Sequence, residues 1–224
     1  MENMDYNMMR SGLRRQLQMF SLLLILIVVP GFAAANDSSD FFLTISRDDG
    51  YMLHKLLGHG IDPNLKEPTR GDTALVLALH EHAMKAFAEL INAPKIDLEE
   101  RSDNGDTALM VASFTANLPA VKALLDKGIE VNTHGWAALH YAAASGDCDI
   151  IKLLLEKSAY IDAESPNKTT PIMMAARAGH AEAVKLLVEA GADLHLKNDQ
   201  GLSAADFAAK SEHPEIADVL HPKN

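Results

Sequence analysis

The sequence predicts an all-α solenoid of helix-turn-helix pairs, stacked side by side and joined by short hairpin loops. Three observations predict it. Five similar segments recur: Gly71-Asp72-Thr73-Ala74-Leu75, Gly105-Asp106-Thr107-Ala108-Leu109, Gly135-Trp136-Ala137-Ala138-Leu139-His140, Lys168-Thr169-Thr170-Pro171-Ile172 and Gly201-Leu202-Ser203-Ala204-Ala205. Their starts are 34, 30, 33 and 33 residues apart, a period that marks a repeat architecture. Each segment leads into an Ala-rich stretch, a short break such as Ser145-Gly146-Asp147 or Gly179-His180, and then a Leu/Val-rich stretch. The 224 residues are 48% hydrophobic but only 5% aromatic, so small aliphatic side chains must do the packing, as stacked short helices allow.

The N-terminus reads as a segment outside this pattern. Arg10, Arg14 and Arg15 precede an apolar run from Met19 to Val29, broken only by Ser21; Pro30-Gly31 then interrupt a helix, and Ala33-Ala34-Ala35 offer small side chains. Basic, apolar and small residues in that order form a secretory signal. Cleavage is expected between Ala35 and Asn36, so that residues 1–35 leave and 36–224 form the mature domain. An uncleaved anchor is the alternative. The unbroken apolar stretch is short of the roughly 20 residues that a spanning helix needs, which disfavours stable membrane insertion.

The repeats follow in order. Residues 38–66 keep a second helix near Met52 and Leu57 and the close Gly60-Ile61-Asp62, but lack the helix start; they read as an N-terminal cap whose first helix carries Phe41 and Phe42. Full repeats occupy 71–103, 104–133, 134–166 and 167–199, and 200–224 is a C-terminal cap. Ala93-Pro94-Lys95 stands in the first full repeat where the others have a glycine turn. Between Gly128 and Gly135 the connection is about three residues short, so one hairpin should be stunted. Thr73, Thr107, Thr170 and Ser203 supply hydroxyls to cap helix starts, and Pro171 sits at a first helical position, where no amide donor is needed. Helices of two or three turns are unstable alone. Alanines 142, 143, 175, 176, 208 and 209 should let helices approach closely, and Leu124-Leu125, Leu153-Leu154 and Leu186-Leu187 should bury against the next repeat.

These residues resemble the ankyrin-repeat family: Thr170-Pro171, Gly179-His180, Leu186-Leu187 and Gly191-Ala192-Asp193 match its pattern in order, over nearly all of residues 38–224. The resemblance implies a protein-binding module that presents hairpin tips and first helices in a concave groove. It places Arg70, Asp72, Asn104, Asp106, His134, Trp136, Lys168 and Gln200 at the tips. It places His80, Glu81, Phe114, Thr115, Ser145, Arg177 and Lys210 at the ends of first helices. Phe114 and Trp136, apolar aromatics on adjacent repeats, stand out as anchors for a partner; the competing reading folds Trp136 over the stunted hairpin as local core. His140 and His180 fall where the family uses structural histidines bonded to neighbouring backbone.

Composition limits the rest. Twenty Lys and Arg against 31 Asp and Glu, a net charge of −11, oppose nucleic-acid binding, which needs surplus cations, and favour a basic partner. One cysteine excludes an internal disulfide and a thiolate zinc cluster. No phosphate-cradling loop, Gly-x-Ser-x-Gly or His-Glu-x-x-His is present. His80 and His82, two apart on a helix, point about 200° apart, which opposes a shared metal. No enzyme, metal or cofactor is therefore expected, and the unit is expected to be a monomer. The signal and repeats together are similar to exported bacterial single-domain ankyrin proteins of the catalase-associated type, implying a periplasmic helper in peroxide defence. Secretion, an immunity protein against a periplasmic toxin, and a redox role for Cys148 at a helix N-terminus are the alternatives.

Overall fold

The computed structural model describes residues 30–220, with the side chains described from residue 38. The apolar run 19–29 lies outside them. Within the described residues there are twelve α-helices, making six pairs: α1 Pro30–Ser46, α2 Gly50–Gly58, α3 Ala74–His80, α4 Met84–Leu90, α5 Ala108–Phe114, α6 Leu118–Asp126, α7 Ala138–Ser145, α8 Cys148–Glu156, α9 Pro171–Ala178, α10 Ala181–Glu189, α11 Ala204–Lys210 and α12 Pro214–Leu220. The one described extended pairing is an isolated bridge between Lys66 and Thr73. The all-helical solenoid expected from the repeat is what forms.

Pro30-Gly31, expected to interrupt a helix, open α1; the run before them lies outside the described residues. Proline is compatible with that end because a first-turn amide has no partner to lose. Ala35 and Asn36 therefore lie inside a helix. The described residues divide after Asp40 into two units, and the repeats belong to the second.

In that unit the first helices pack in sequence, α3 on α5, α5 on α7, α7 on α9 and α9 on α11, and the second helices form a parallel row in which α6, α8 and α10 pack successively. Burial follows the row. In α3 all residues from Ala74 to Leu79 are buried, and in α9 Pro171, Ile172, Met173, Ala175 and Ala176 are. Alanine at these contacts removes side-chain bulk between backbones. Ala142, Ala143, Ala175, Ala176 and Ala208 are fully buried; Ala209 is exposed, since among the described residues no later first helix packs on α11. Each second helix buries one seam, carried by Leu124, Leu154 and Leu187, all with no exposed surface. Leu125 is buried too, whereas Leu153 and Leu186 are half-buried. Each fully buried aliphatic side chain contributes roughly 1.5–3 kcal/mol.

The helix starts are sealed by side chains. Thr73 Oγ1 accepts from Val76 N at 3.2 Å, Thr107 Oγ1 from Met110 N at 3.4 Å and Ser203 Oγ from Asp206 N at 3.2 Å. Thr170 departs from the expected role, since its buried hydroxyl has no partner. Its backbone amide is instead directed at Met173 Sδ, 3.4 Å away. The same return contact comes from Met110 to Thr107 N and, far better matched, from His140 Nδ1 to Ala137 N at 3.1 Å.

The hairpins close on backbone pairs: Glu67 N to Asp72 O, Ser102 N to Asp106 O, Ser165 N to Thr169 O and Asn198 N to Leu202 O, at 2.8 to 3.0 Å. The short connection after Gly128 closes instead through Thr133 Oγ1, which donates to Trp136 O at 2.8 Å. It is stunted, as its length requires. A ladder of short polar side chains ties successive repeats together. Asn64 takes Asp97 N and gives to Lys95 O; Asn132 takes Tyr160 N and gives to Ser158 O; Asp162 takes Asp193 N. These loop residues satisfy backbone groups that helix ends and turns leave open.

Candidate protein-binding groove

The registers of the first helices explain what the stack displays. Counting from the first residue of α3, α5, α7, α9 and α11, the fourth positions are Leu77, Val111, Tyr141, Met174 and Phe207, and the seventh are His80, Phe114, Ala144, Arg177 and Lys210. Residues three apart share a helix face, so these two rows run side by side across the repeats. In the fourth row Leu77 and Val111 are buried, whereas Tyr141, Met174 and Phe207 are half-exposed. In the seventh, the small Ala144 lies between Phe114 and Arg177.

A recess follows from that gap. Phe114, Trp136, His140, Tyr141, Ala144, Met174 and Arg177 line a depression of about 220 Å³. Phe114 is 56% exposed. Its ring stands edge-on to Tyr141 with centroids 6.3 Å apart, and Trp136 meets His140 at 5.2 Å and Tyr141 at 6.4 Å, again edge-on. Trp136 is half-buried: its ring packs against His140 and Tyr141 of α7 and lines the recess with them. Tyr141 carries the cluster yet has no motif signal, because only its register beside Ala144 exposes it. Its hydroxyl donates to the Asp106 carboxylate. Burial, and next that bond, push its ionisation well above the usual tyrosine range.

The other sequence-predicted residues separate into groups. Asp72 is buried, 3% exposed, and not at an open tip; its carboxylate takes Arg70 Nε at 3.4 Å and His80 Nδ1 at 3.1 Å. Arg70 also reaches Glu81 at 3.1 Å. This end of the groove thus satisfies its own charges. Asn104 Nδ2 gives to Asp106 at 2.7 Å, so Asp106 is shared by two neighbours. Thr115 and Ser145 spend their hydroxyls on backbone carbonyls, Val111 O at 2.9 Å and Ala142 O at 3.0 Å. His134, Lys168, Arg177, Gln200 and Lys210 are exposed, with Lys168 3.9 Å from Asp199.

His140 is fully buried, its Nε2 donating to Thr169 O at 2.9 Å. His180 Nε2 donates to Ala144 O at 3.0 Å. Both do the structural work expected of them. Cys148 opens α8 and is half-buried, but desolvation, with further pressure from the Asp147, Glu182 and Asp149 carboxylates, raises its thiol above the ordinary value. Lys152 acts the other way without reversing the direction, and a raised thiol disfavours the thiolate that redox chemistry needs. Among the described residues no three His, Cys, Asp or Glu side chains converge as metal ligands, and no helix is long and apolar enough to cross a membrane.

The model for ankyrin repeats matches the chain in three copies, over residues 41–135, 79–165 and 139–224. The chain belongs to the ankyrin-repeat family. Its similarity to individual family members is moderate. It is 32% identical over 124 residues to the neurogenic locus notch homolog protein 1 of Xenopus tropicalis, covering 54% of this chain and 5% of that one. Against the human SH3 and multiple ankyrin repeat domains protein 2 it is 33% identical over 122 residues, 51% of this chain and 6% of the other. With the E3 ubiquitin-protein ligase hecd-1 of Caenorhabditis elegans it shares 31% over 99 residues, 44% of this chain and 4% of that. The chain thus spans about a twentieth of these relatives' length. Ankyrin repeats make it a protein-protein interaction module.

Proposed function

We propose that this ankyrin stack is a non-catalytic adaptor that seats one partner protein in its groove, anchored on Phe114 and Trp136. The observation that carries the reading is the recess: a sequence poor in aromatics gathers three of them at one exposed spot, and exposed apolar clusters on a soluble surface mark interaction sites. Phe114 is exposed beside no helix that needs it for packing. Hot spots at interfaces concentrate in such aromatic clusters, where truncation costs about 2 kcal/mol or more.

The double substitution Phe114→Ala and Trp136→Ala tests this. Binding of partner from a cell-envelope extract is expected to be lost while the melting temperature stays close to that of the parent. An unchanged pull-down with a much lower melting temperature would make both rings structural and remove the anchor.

Export to a bacterial envelope completes the proposal. It is supported by the basic, apolar and small-residue order of residues 10–35, and the likeness to exported catalase-associated ankyrin proteins makes peroxide defence the first setting in which to seek the partner. N-terminal sequencing of the protein from the soluble envelope fraction should begin at Asn36; a product that retains Arg14 and Arg15 would mean that the segment is kept.

A further inference from the structure

We infer that the segment seated in this recess is acidic: a large apolar side chain, followed by a carboxylate one or two residues on and a second about three residues further. The inference rests on the groove reading above and adds the chemistry of the occupant, which the net charge of the whole chain predicts with the opposite sign.

Size comes first. The recess of about 220 Å³ falls below the roughly 300–1,000 Å³ of small-molecule and cofactor sites. It accepts one large side chain and leaves the rest of a ligand outside. Tyr141 and His140 offer no free polar group to that side chain. The Tyr141 hydroxyl is given to Asp106, and His140 has both ring nitrogens engaged, by Ala137 N and Thr169 O. Ring faces and edges, the Ala144 methyl and the Met174 side chain make most of the lining, with Arg177 at one side, so the inserted group is apolar.

Charge comes second. Toward α3 Asp72 is matched by Arg70 and His80, and Glu81 by Arg70, while Asp106 beside Tyr141 is held by hydrogen bonds from the Tyr141 hydroxyl and Asn104. Toward α11 the match fails. Arg177 lines the recess and is exposed, and among the described residues it makes no ion pair. Lys210, at the equivalent position of the next first helix, also makes none and interacts with Asp206 only at longer range. Arg177 thus puts an unpaired cation at the rim of an apolar hole, with Lys210 one repeat further on, although the chain as a whole has an excess of acids. A guanidinium with free donors pairs with carboxylates in a bidentate fork, and attraction at this range outweighs the screened charge of distant surfaces.

Spacing comes third. Packed helices lie 8–10 Å apart, and an extended chain rises about 3.3 Å per residue. A carboxylate next to the anchor therefore meets Arg177, and one about three residues later meets Lys210.

Trp136 is the only tryptophan in the sequence and lines the recess, so its emission reports occupancy. The full chain is titrated with the peptide acetyl-Gly-Ser-Phe-Asp-Gly-Ser-Glu-Gly-amide, with a version carrying Lys for both acids, and with one carrying Ala for Phe. A saturable change is expected with the first alone. Its dissociation constant should rise at least tenfold in Arg177→Ala and with added salt, and Arg177→Glu should transfer the preference to the lysine peptide. Arg177 is exposed, and an unchanged melting temperature confirms that each variant folds. An equal or tighter response to the lysine peptide, a response indifferent to Arg177, or no saturation with the acidic peptide overturns the inference. Loss of partner by the Phe114 and Trp136 double variant alongside any of those results leaves the adaptor reading standing and removes only the acidic occupant.

Discussion

Replacing His140 by alanine is expected to lower the free energy of unfolding by about 4 kcal/mol. The ring is fully buried and holds two backbone groups, Ala137 N at the start of its own helix and Thr169 O in the next repeat. Alanine leaves both unsatisfied, at about 1–3 kcal/mol each where they stay dry, and opens a cavity whose cost adds to that. Denaturant midpoints measure the loss. His140→Gln, which can keep one of the two bonds, should fall between parent and alanine variant; equal midpoints for parent and alanine variant would show that water replaces the ring.

The same residue gives a pH dependence. Burial lowers the folded-state pKa of His140 below the ordinary histidine value, against the raising effect of its backbone bonds. In the unfolded chain it titrates near 6.5. As pH falls through that value the unfolded state takes up a proton that the folded state refuses, so stability falls. Above that range the group contributes no slope. The parent should therefore lose stability between neutral pH and about pH 5 more steeply than His140→Gln, which has no such proton to bind.

Gly146→Ala is the second large effect, expected at about 3 kcal/mol. Gly146 ends α7 in the left-handed region, φ +77, and a Cβ there would stand 2.5 Å from His180 Cγ. The left-handed backbone alone costs a side chain about 1–2 kcal/mol. The ring cannot yield freely, because its Nε2 is bonded to Ala144 O at 3.0 Å; moving it forfeits a bond of about 1 kcal/mol. The double variant Gly146→Ala with His180→Ala should be more stable than the sum of its two single changes predicts, since the clash is then gone. Strict additivity in the chemical-denaturation midpoints would place the whole cost in the backbone.

Much of the fold was legible before any coordinates. The period of the Gly-Asp-Thr-Ala-Leu segments fixed where each pair begins, the missing residues after Gly128 fixed which hairpin is stunted, and Leu124, Leu154 and Leu187 announced the seam. Such features are local, since capping, turn chemistry and helical spacing depend on residues within one repeat. Tertiary structure decided the rest. Asp72 reads as a tip carboxylate and is buried, because Arg70 and His80 fold onto it. Tyr141 reads as an ordinary helix residue, yet it becomes the floor of the recess because Ala144 beside it is small and Phe114 and Arg177 on neighbouring helices flank the gap. Cys148 sits at a helix start, as expected, but burial and the carboxylates of Asp147, Glu182 and Asp149 raise its thiol. The groove's sign was the furthest from the sequence: composition counts all charges equally, whereas folding pairs some acids internally and leaves Arg177 and Lys210 free. Within one repeat the sequence determines structure through neighbours along the chain; between repeats, side chains distant in sequence decide what is buried, what is paired and what is left to bind.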